Sequence, residues 1–178
     1  MHYPPFDNIR EGVSAILISF LDYERERLAT IAPEAESLAS ILKDFLEGGK
    51  CLRPMFVHAG ALAAAGELDT TTAHDIAQLG AAVELVQAAA LIHDDVLDHS
   101  PTRRGRPAIH IAAERDHEAR SLMGSAEDFG VANAVILGDL TLALAHELAS
   151  SAFLGADDRA HFHALCTEVM AGQYLDIL

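Results

Sequence analysis

The run Ala88-Ala89-Ala90-Leu91-Ile92-His93-Asp94-Asp95-Val96-Leu97-Asp98, followed by Thr102-Arg103-Arg104-Gly105-Arg106-Pro107, constrains this chain more than any other stretch. Its first half is too apolar for a surface helix, so the segment has to be a buried helix that surfaces at a cluster of acids. On a helix Asp94 and Asp98 lie one turn apart, about 40° apart in azimuth and roughly 6 Å along the axis. Two carboxylates so placed attract a hard divalent cation, Mg²⁺ foremost, which takes one or two protein carboxylates and fills its shell with water and phosphate oxygens. Arginines one loop further on suit phosphate oxygens through paired, charge-assisted hydrogen bonds. A solvated helix end would mix its charges; here the signs are segregated, which points to a diphosphate held from both sides.

The rest of the chain reads as helix. Ile9, Val13, Ile16, Phe20 and Leu28 recur at helical steps over 9–30, and Pro33 suits the first turn of a second helix reaching Leu46. Gly48-Gly49 breaks that helix, and Pro54 is expected to start a third, to about Ala65. The hydroxyls of Asp69-Thr70-Thr71-Thr72 can cap a long helix ending at the aspartates. Pro101, Gly105, Pro107 and Gly124 break 99–127, leaving room for one short helix near Glu114 to Arg120. Further helices are expected from about Ala126 to Ala152 and from about Asp157 onward. No segment alternates like a strand. The expectation is a single all-α domain over 1–178, a bundle of long helices.

The net charge of −15 argues against nucleic acid or an anionic membrane as the main partner. The basic residues are nonetheless grouped, Lys50 with Arg53 and Arg103 with Arg104 and Arg106, as suits a local anion site. Cys51 and Cys166 form neither a metal spacing nor a disulfide framework, so a cytoplasmic, reducing compartment is expected. Met1-His2-Tyr3-Pro4-Pro5-Phe6-Asp7 lacks the basic and apolar regions of a secretory signal. The most apolar stretches are interrupted by His74, Asp75, Glu84 and Gln87, or by Asn133 and Asp139, so no transmembrane segment is expected.

A second constellation is Gly48-Gly49-Lys50-Cys51-Leu52-Arg53-Pro54. Paired glycines free the backbone, and two cations beside a helix N-terminus suit a diphosphate clamp, although alone such a turn is more often a solvated connection between helices. In order along the chain follow Glu84-Leu85-Val86-Gln87, the His93 to Asp98 cluster, Arg103-Arg104-Gly105-Arg106-Pro107, Gly138-Asp139-Leu140 and Gly172-Gln173-Tyr174-Leu175-Asp176. From about residue 40 on, the chain resembles the N-terminal portion of the trans-isoprenyl diphosphate synthases, the polyprenyl synthetase family. Terpene cyclases share the Asp-Asp-x-x-Asp pattern but lack the glycine-lysine loop and the arginine pair at this spacing.

The resemblance implies a prenyltransferase of isoprenoid synthase fold that joins isopentenyl diphosphate to an allylic diphosphate. It implies that Asp94 and Asp98 ligate Mg²⁺, with Asp95 supporting from behind, and that Arg103, Gln173 and Asp176 face the allylic diphosphate. Lys50, Arg53, Gln87 and Arg104 would hold isopentenyl diphosphate. Reaction would proceed by ionisation, condensation and elimination in a homodimer. Methyl-sized Ala89 and Ala90, about one turn before Asp94, would leave the floor of the pocket open, so geranylgeranyl diphosphate or a longer product is expected. Two departures stand out. Cys51 sits where the family often has arginine, and the second aspartate-rich cluster of the family is absent through Leu178. On that basis the chain is expected to be a fragment with little turnover of its own. A helical metal-dependent phosphohydrolase using His93 and Asp94 remains an alternative, as does a non-catalytic partner subunit of a prenyl synthase. The phosphohydrolase reading leaves both basic clusters unexplained, and a purely regulatory subunit has no need of intact Asp94, Asp95 and Asp98.

Overall fold

A computed structural model describes residues 6–152 and 155–178. The first five residues, and with them most of the segment in which no secretory signal is expected, lie outside the described ones. The protein is all-α. In chain order the helices are α1 (Phe6–Ala29), α2 (Glu36–Leu46) preceded by a 3₁₀ turn at Pro33–Ala35, α3 (Leu52–Ala65), α4 (Thr70–Leu97), α5 (Ile109–Ala119), α6 (Ala126–Ser151) and α7 (Ala156–Asp176). A two-stranded antiparallel ribbon, β1 (Thr102–Arg103) and β2 (Arg106–Pro107), separates α4 from α5.

Several expectations are corrected here. Residues 99–127 hold a strand pair, too short to show periodicity, and their helix begins at Ile109 rather than near Glu114. The third helix starts at Leu52, so Pro54 falls within its first turn, where a missing N–H costs nothing. The long α4 is capped by the Asp69 carboxylate, which accepts the Thr72 N–H at 2.8 Å, rather than by the threonine hydroxyls.

Packing divides the chain into two compact units. Unit one comprises Met1–Leu85 with Leu144–His163, and unit two Val86–Ala143 with Ala164–Leu178. In unit one α1 packs against α2 and α3. Its buried stripe is Val13, Leu17, Leu21 and Leu28, turned about one residue from the expected face, so that Ile16 and Phe20 are only half-buried. Glu24 sits in this stripe and is completely buried. Arg27 makes that tolerable: its Nε donates to Glu24 Oε2 at 2.7 Å and its Nη2 reaches Glu147 of α6 at 3.1 Å. The bond to Glu24 holds the Arg27 guanidinium above its usual range, with burial opposing. Lys43 of α2 ties back to Asp22 at 2.8 Å and lowers that carboxyl. Leu42, Leu85, Leu144 and Leu148 complete the core, while in unit two Val86, Ala89, Ile92, Ala134 and Leu137 are enclosed.

The interrupting polar residues do not keep α4 and α6 below membrane-spanning apolarity. Both are long and apolar enough to cross a membrane by length and composition alone, with mean hydropathies of 1.4 and 1.5, because Ala, Val, Ile and Leu outweigh the few charges. More than half of that α4 window, 56%, is buried inside the protein, which accounts for its apolarity as core. Both cysteines are free and buried.

Candidate active site

The end of α4 is fixed by its backbone. His99 adopts a left-handed conformation (φ 51°), its N–H bonding the Val96 carbonyl at 3.3 Å and the Ser100 N–H bonding that of Asp95 at 2.9 Å. This is a Schellman closure, in which glycine usually takes the left-handed place. The Asp98 N–H still reaches the Asp94 carbonyl at 2.8 Å. Asp98 therefore stands one turn beyond Asp94 with its carboxylate exposed, whereas Asp94 is half-buried and Asp95 fully buried.

Asp95 survives burial because the ribbon brings Arg103 to it. Arg104 and Gly105 join the strands with positive φ at both positions, 53° and 77°, the two-residue turn whose twist matches a hairpin. Arg103 Nε then donates to Asp95 Oδ1 at 2.9 Å and Oδ2 at 3.2 Å. Its Nη2 donates to Asp95 Oδ1 at 2.5 Å and to Asp94 Oδ2 at 3.2 Å. The bond to Asp95 holds the guanidinium above its ordinary value against the opposing effect of burial. From α7, Gln173 Nε2 donates to Asp94 Oδ1 at 2.7 Å. Asp94, Asp95, Arg103 and Gln173 thus form one hydrogen-bonded cluster, with Asp98 on the adjoining turn.

Of the other candidates, Gln87 lies two turns before Asp94 on α4, half-buried, and Arg104 is exposed at the tip of the ribbon. Asp176, the last residue of α7, is exposed. Ala89 is fully enclosed by protein and Ala90 half-buried. Lys50 and Arg53 belong to unit one and are both exposed, Lys50 on the turn between α2 and α3, where Gly48 (φ 74°) and Cys51 (φ 47°) take left-handed conformations, and Arg53 in the first turn of α3. Behind that turn a cavity of about 250 Å³ is lined by Arg10, Leu17, Leu21 and Lys43 together with Gly49 and Cys51.

Outside the phosphohydrolase alternative His93 has no expected role, yet its ring abuts Gly138 of α6, Nε2 foremost. A side chain at position 138 would overlap the imidazole. His93 Nε2 lies 3.3 Å from the Val135 carbonyl and 3.5 Å from Asp139 Oδ1. A glycine inside an otherwise strong helical pattern is the one signal that could have revealed this close approach.

Among the described residues no three His, Cys, Asp or Glu side chains converge as a ready-made cation cage. The donor set at the end of α4 nevertheless suits Mg²⁺. Two hard carboxylates on successive turns, one of them exposed, match an ion that keeps several waters and seldom uses an all-protein cage.

Solved structures share the fold. The geranylgeranyl pyrophosphate synthase of Corynebacterium glutamicum, crystallised with isoprenyl diphosphate and magnesium, is 35% identical with a TM-score of 0.87, over 97% of this chain and 50% of that one. A farnesyl diphosphate synthase of T. brucei shares the fold at 22% identity, with a TM-score of 0.72 over 95% of this chain and 47% of that one. The chain belongs to the polyprenyl synthetase family, whose sequence profile matches residues 35–178. A short chain isoprenyl diphosphate synthase of Methanocaldococcus jannaschii is 27% identical over 174 residues, 94% of this chain and 46% of the relative. A geranylgeranyl diphosphate synthase of Methanosarcina mazei is 32% identical over 136 residues, 73% of this chain and 35% of the relative. The chain thus spans about a third to a half of the length of these curated relatives.

Proposed function

We propose that this chain carries the first carboxylate cluster and the diphosphate-binding arginines of a cytoplasmic, homodimeric prenyltransferase that joins isopentenyl diphosphate to an allylic diphosphate. The observation that carries the reading is the cluster at the end of α4, where Arg103 spans Asp95 and Asp94 while Asp98 stays open to solvent one turn on. Such a site needs a divalent ion and a polyanion to complete it.

In this reading Asp94 and Asp98 hold Mg²⁺, and Asp95 acts through Arg103 by fixing its plane. When bound, the ion supplies positive charge that stabilises a departing diphosphate. Arg103 presents guanidinium N–H groups to the allylic diphosphate, with Gln173 and Asp176 on the same side. Lys50, Arg53, Gln87 and Arg104 bind the diphosphate of isopentenyl diphosphate through charge-assisted hydrogen bonds. The allylic carbon–oxygen bond breaks with its electron pair on oxygen, and the isopentenyl double bond attacks the resulting carbocation. Loss of a proton to the released diphosphate restores the alkene. The half-buried Ala90, with Ala89 behind it, leaves room for a tail of twenty carbons or more.

This chain alone is expected to turn over little, so the test is made on a full-length protein that carries this sequence: incorporation of labelled isopentenyl diphosphate into prenyl diphosphates, with farnesyl diphosphate as primer, with and without Mg²⁺. Products of geranylgeranyl length or longer are expected, and Ala90→Phe should shorten them while sparing the first condensation. Phosphate release from a generic phosphoester, with no condensation, would replace the proposal by a phosphohydrolase.

A further inference from the structure

Both oxygens of the Asp94 carboxylate are already engaged, by two donors of different kinds. Arg103, on Oδ2 at 3.2 Å, is anchored independently by its bonds to Asp95. Gln173, on Oδ1 at 2.7 Å, sits near the end of α7 and has no second side-chain bond among the described residues. Seventy-nine residues separate it from Asp94, so this contact is tertiary and not a by-product of helix spacing. An amide N–H and a cation make opposing demands on one oxygen. Of the two lone pairs on Oδ1 the amide proton occupies one at about 1.9 Å, so a magnesium ion that enters along that lone pair, to about 2.1 Å, has to displace the amide.

Resting on the metal assignment proposed above, we infer that Gln173 is a displaceable cap on Asp94. Its amide holds the carboxylate in place while the cation is absent, and it gives up Oδ1 when the cation enters. Arg103 keeps its position throughout because Asp95 holds it. Cation loading at the end of α4 is thereby transmitted to α7.

The experiment is a Mn²⁺ titration followed by electron paramagnetic resonance, with Mg²⁺ as competitor, on the 178-residue chain and its Gln173→Leu, Gln173→Ala and Asp94→Ala variants. Removing the competing donor should tighten Mn²⁺ binding by about three- to tenfold in both Gln173 variants. Asp94→Ala should abolish binding. In the parent chain, saturating Mg²⁺ should move the Gln173 side-chain amide resonances toward those of free glutamine. Unchanged or weaker Mn²⁺ binding in the Gln173 variants, with binding still dependent on Asp94, would overturn the cap and leave the metal assignment standing. Unmoved amide resonances under the same conditions would do likewise. Binding that survives Asp94→Ala would overturn the metal assignment and the cap together.

Discussion

The two basic turns of this protein solve one problem in opposite ways. The turn after α4 and the turn before α3 each use a left-handed non-glycine residue, Arg104 and Cys51 respectively, and each carries cations suited to phosphate. Arg103 is drawn down onto Asp95 and Asp94, so its charge is neutralised by protein before any ligand arrives. Lys50 and Arg53 stand exposed, with no protein partner among the described residues. Burying a carboxylate obliges the fold to supply its counter-ion, because a lone buried charge costs several kcal/mol. A solvated loop carries no such obligation and can leave its cations for the ligand. The first turn is therefore part of the folding problem, and in the proposed function of binding as well, whereas the second would serve that proposed binding without a share in the burial of charge.

The largest effect expected from this contrast is at Asp98. Asp98→Ala should leave stability within about 0.5 kcal/mol, since the side chain is exposed. In a full-length protein that carries this sequence it should nevertheless lower condensation by about a hundred- to a thousandfold, read from kcat. Near-parental turnover would remove Asp98 from the site.

Asp95→Ala should behave in the opposite sense, costing about 2 kcal/mol in urea denaturation because it leaves the half-buried Arg103 with only its longer bond to Asp94. An unaltered denaturation midpoint would erase the distinction between the two turns. Arg53→Ala should raise the KM for isopentenyl diphosphate about tenfold, the worth of one charged hydrogen bond, while the unfolding curve stays in place. A coincident rise in the KM of the allylic substrate would merge the two proposed diphosphate sites.

The smallest effect concerns His146 of α6, whose ring packs edge-on against Phe162 and His163 of α7 at 5.2 Å. Burial first, then the charge of His163, pushes its imidazole below the ordinary value of 6.5. The unfolded chain then takes up this proton more readily than the folded one. The stability contribution is complete above about pH 6.5 and declines as pH falls below that value toward the folded pKa. His146→Phe should flatten this part of a melting-temperature profile between pH 7.5 and 5, and an unchanged slope would assign the acid sensitivity elsewhere.

Much of this was legible in the sequence because helical periodicity and the acid–arginine order are local signals. The long helix into Asp94, the break at Gly48-Gly49 and the helices before and after Gly124 all follow from such patterns. The ribbon was not legible, since two residues per strand show no alternation and Arg104 is an unusual choice for a left-handed turn. The α1 face was read one residue off because apolar side chains nearly encircle that helix, and only packing selects Leu17 and Leu21 over Ile16 and Phe20. The bond from Gln173 to Asp94 and the seat of His93 on Gly138 join residues far apart in the chain, which no spacing rule reaches.

The ribbon also has a parity. Thr102 faces Pro107 and Arg103 faces Arg106, and neighbouring side chains on a strand point to opposite sides. One residue inserted or deleted ahead of Arg103 on β1 would turn the guanidinium that now meets Asp95 to the other side of the ribbon. Two residues together would restore the phase. Length variation in this segment is therefore admissible only in even steps, so an odd insertion should act as a loss of Arg103 even with every arginine still present.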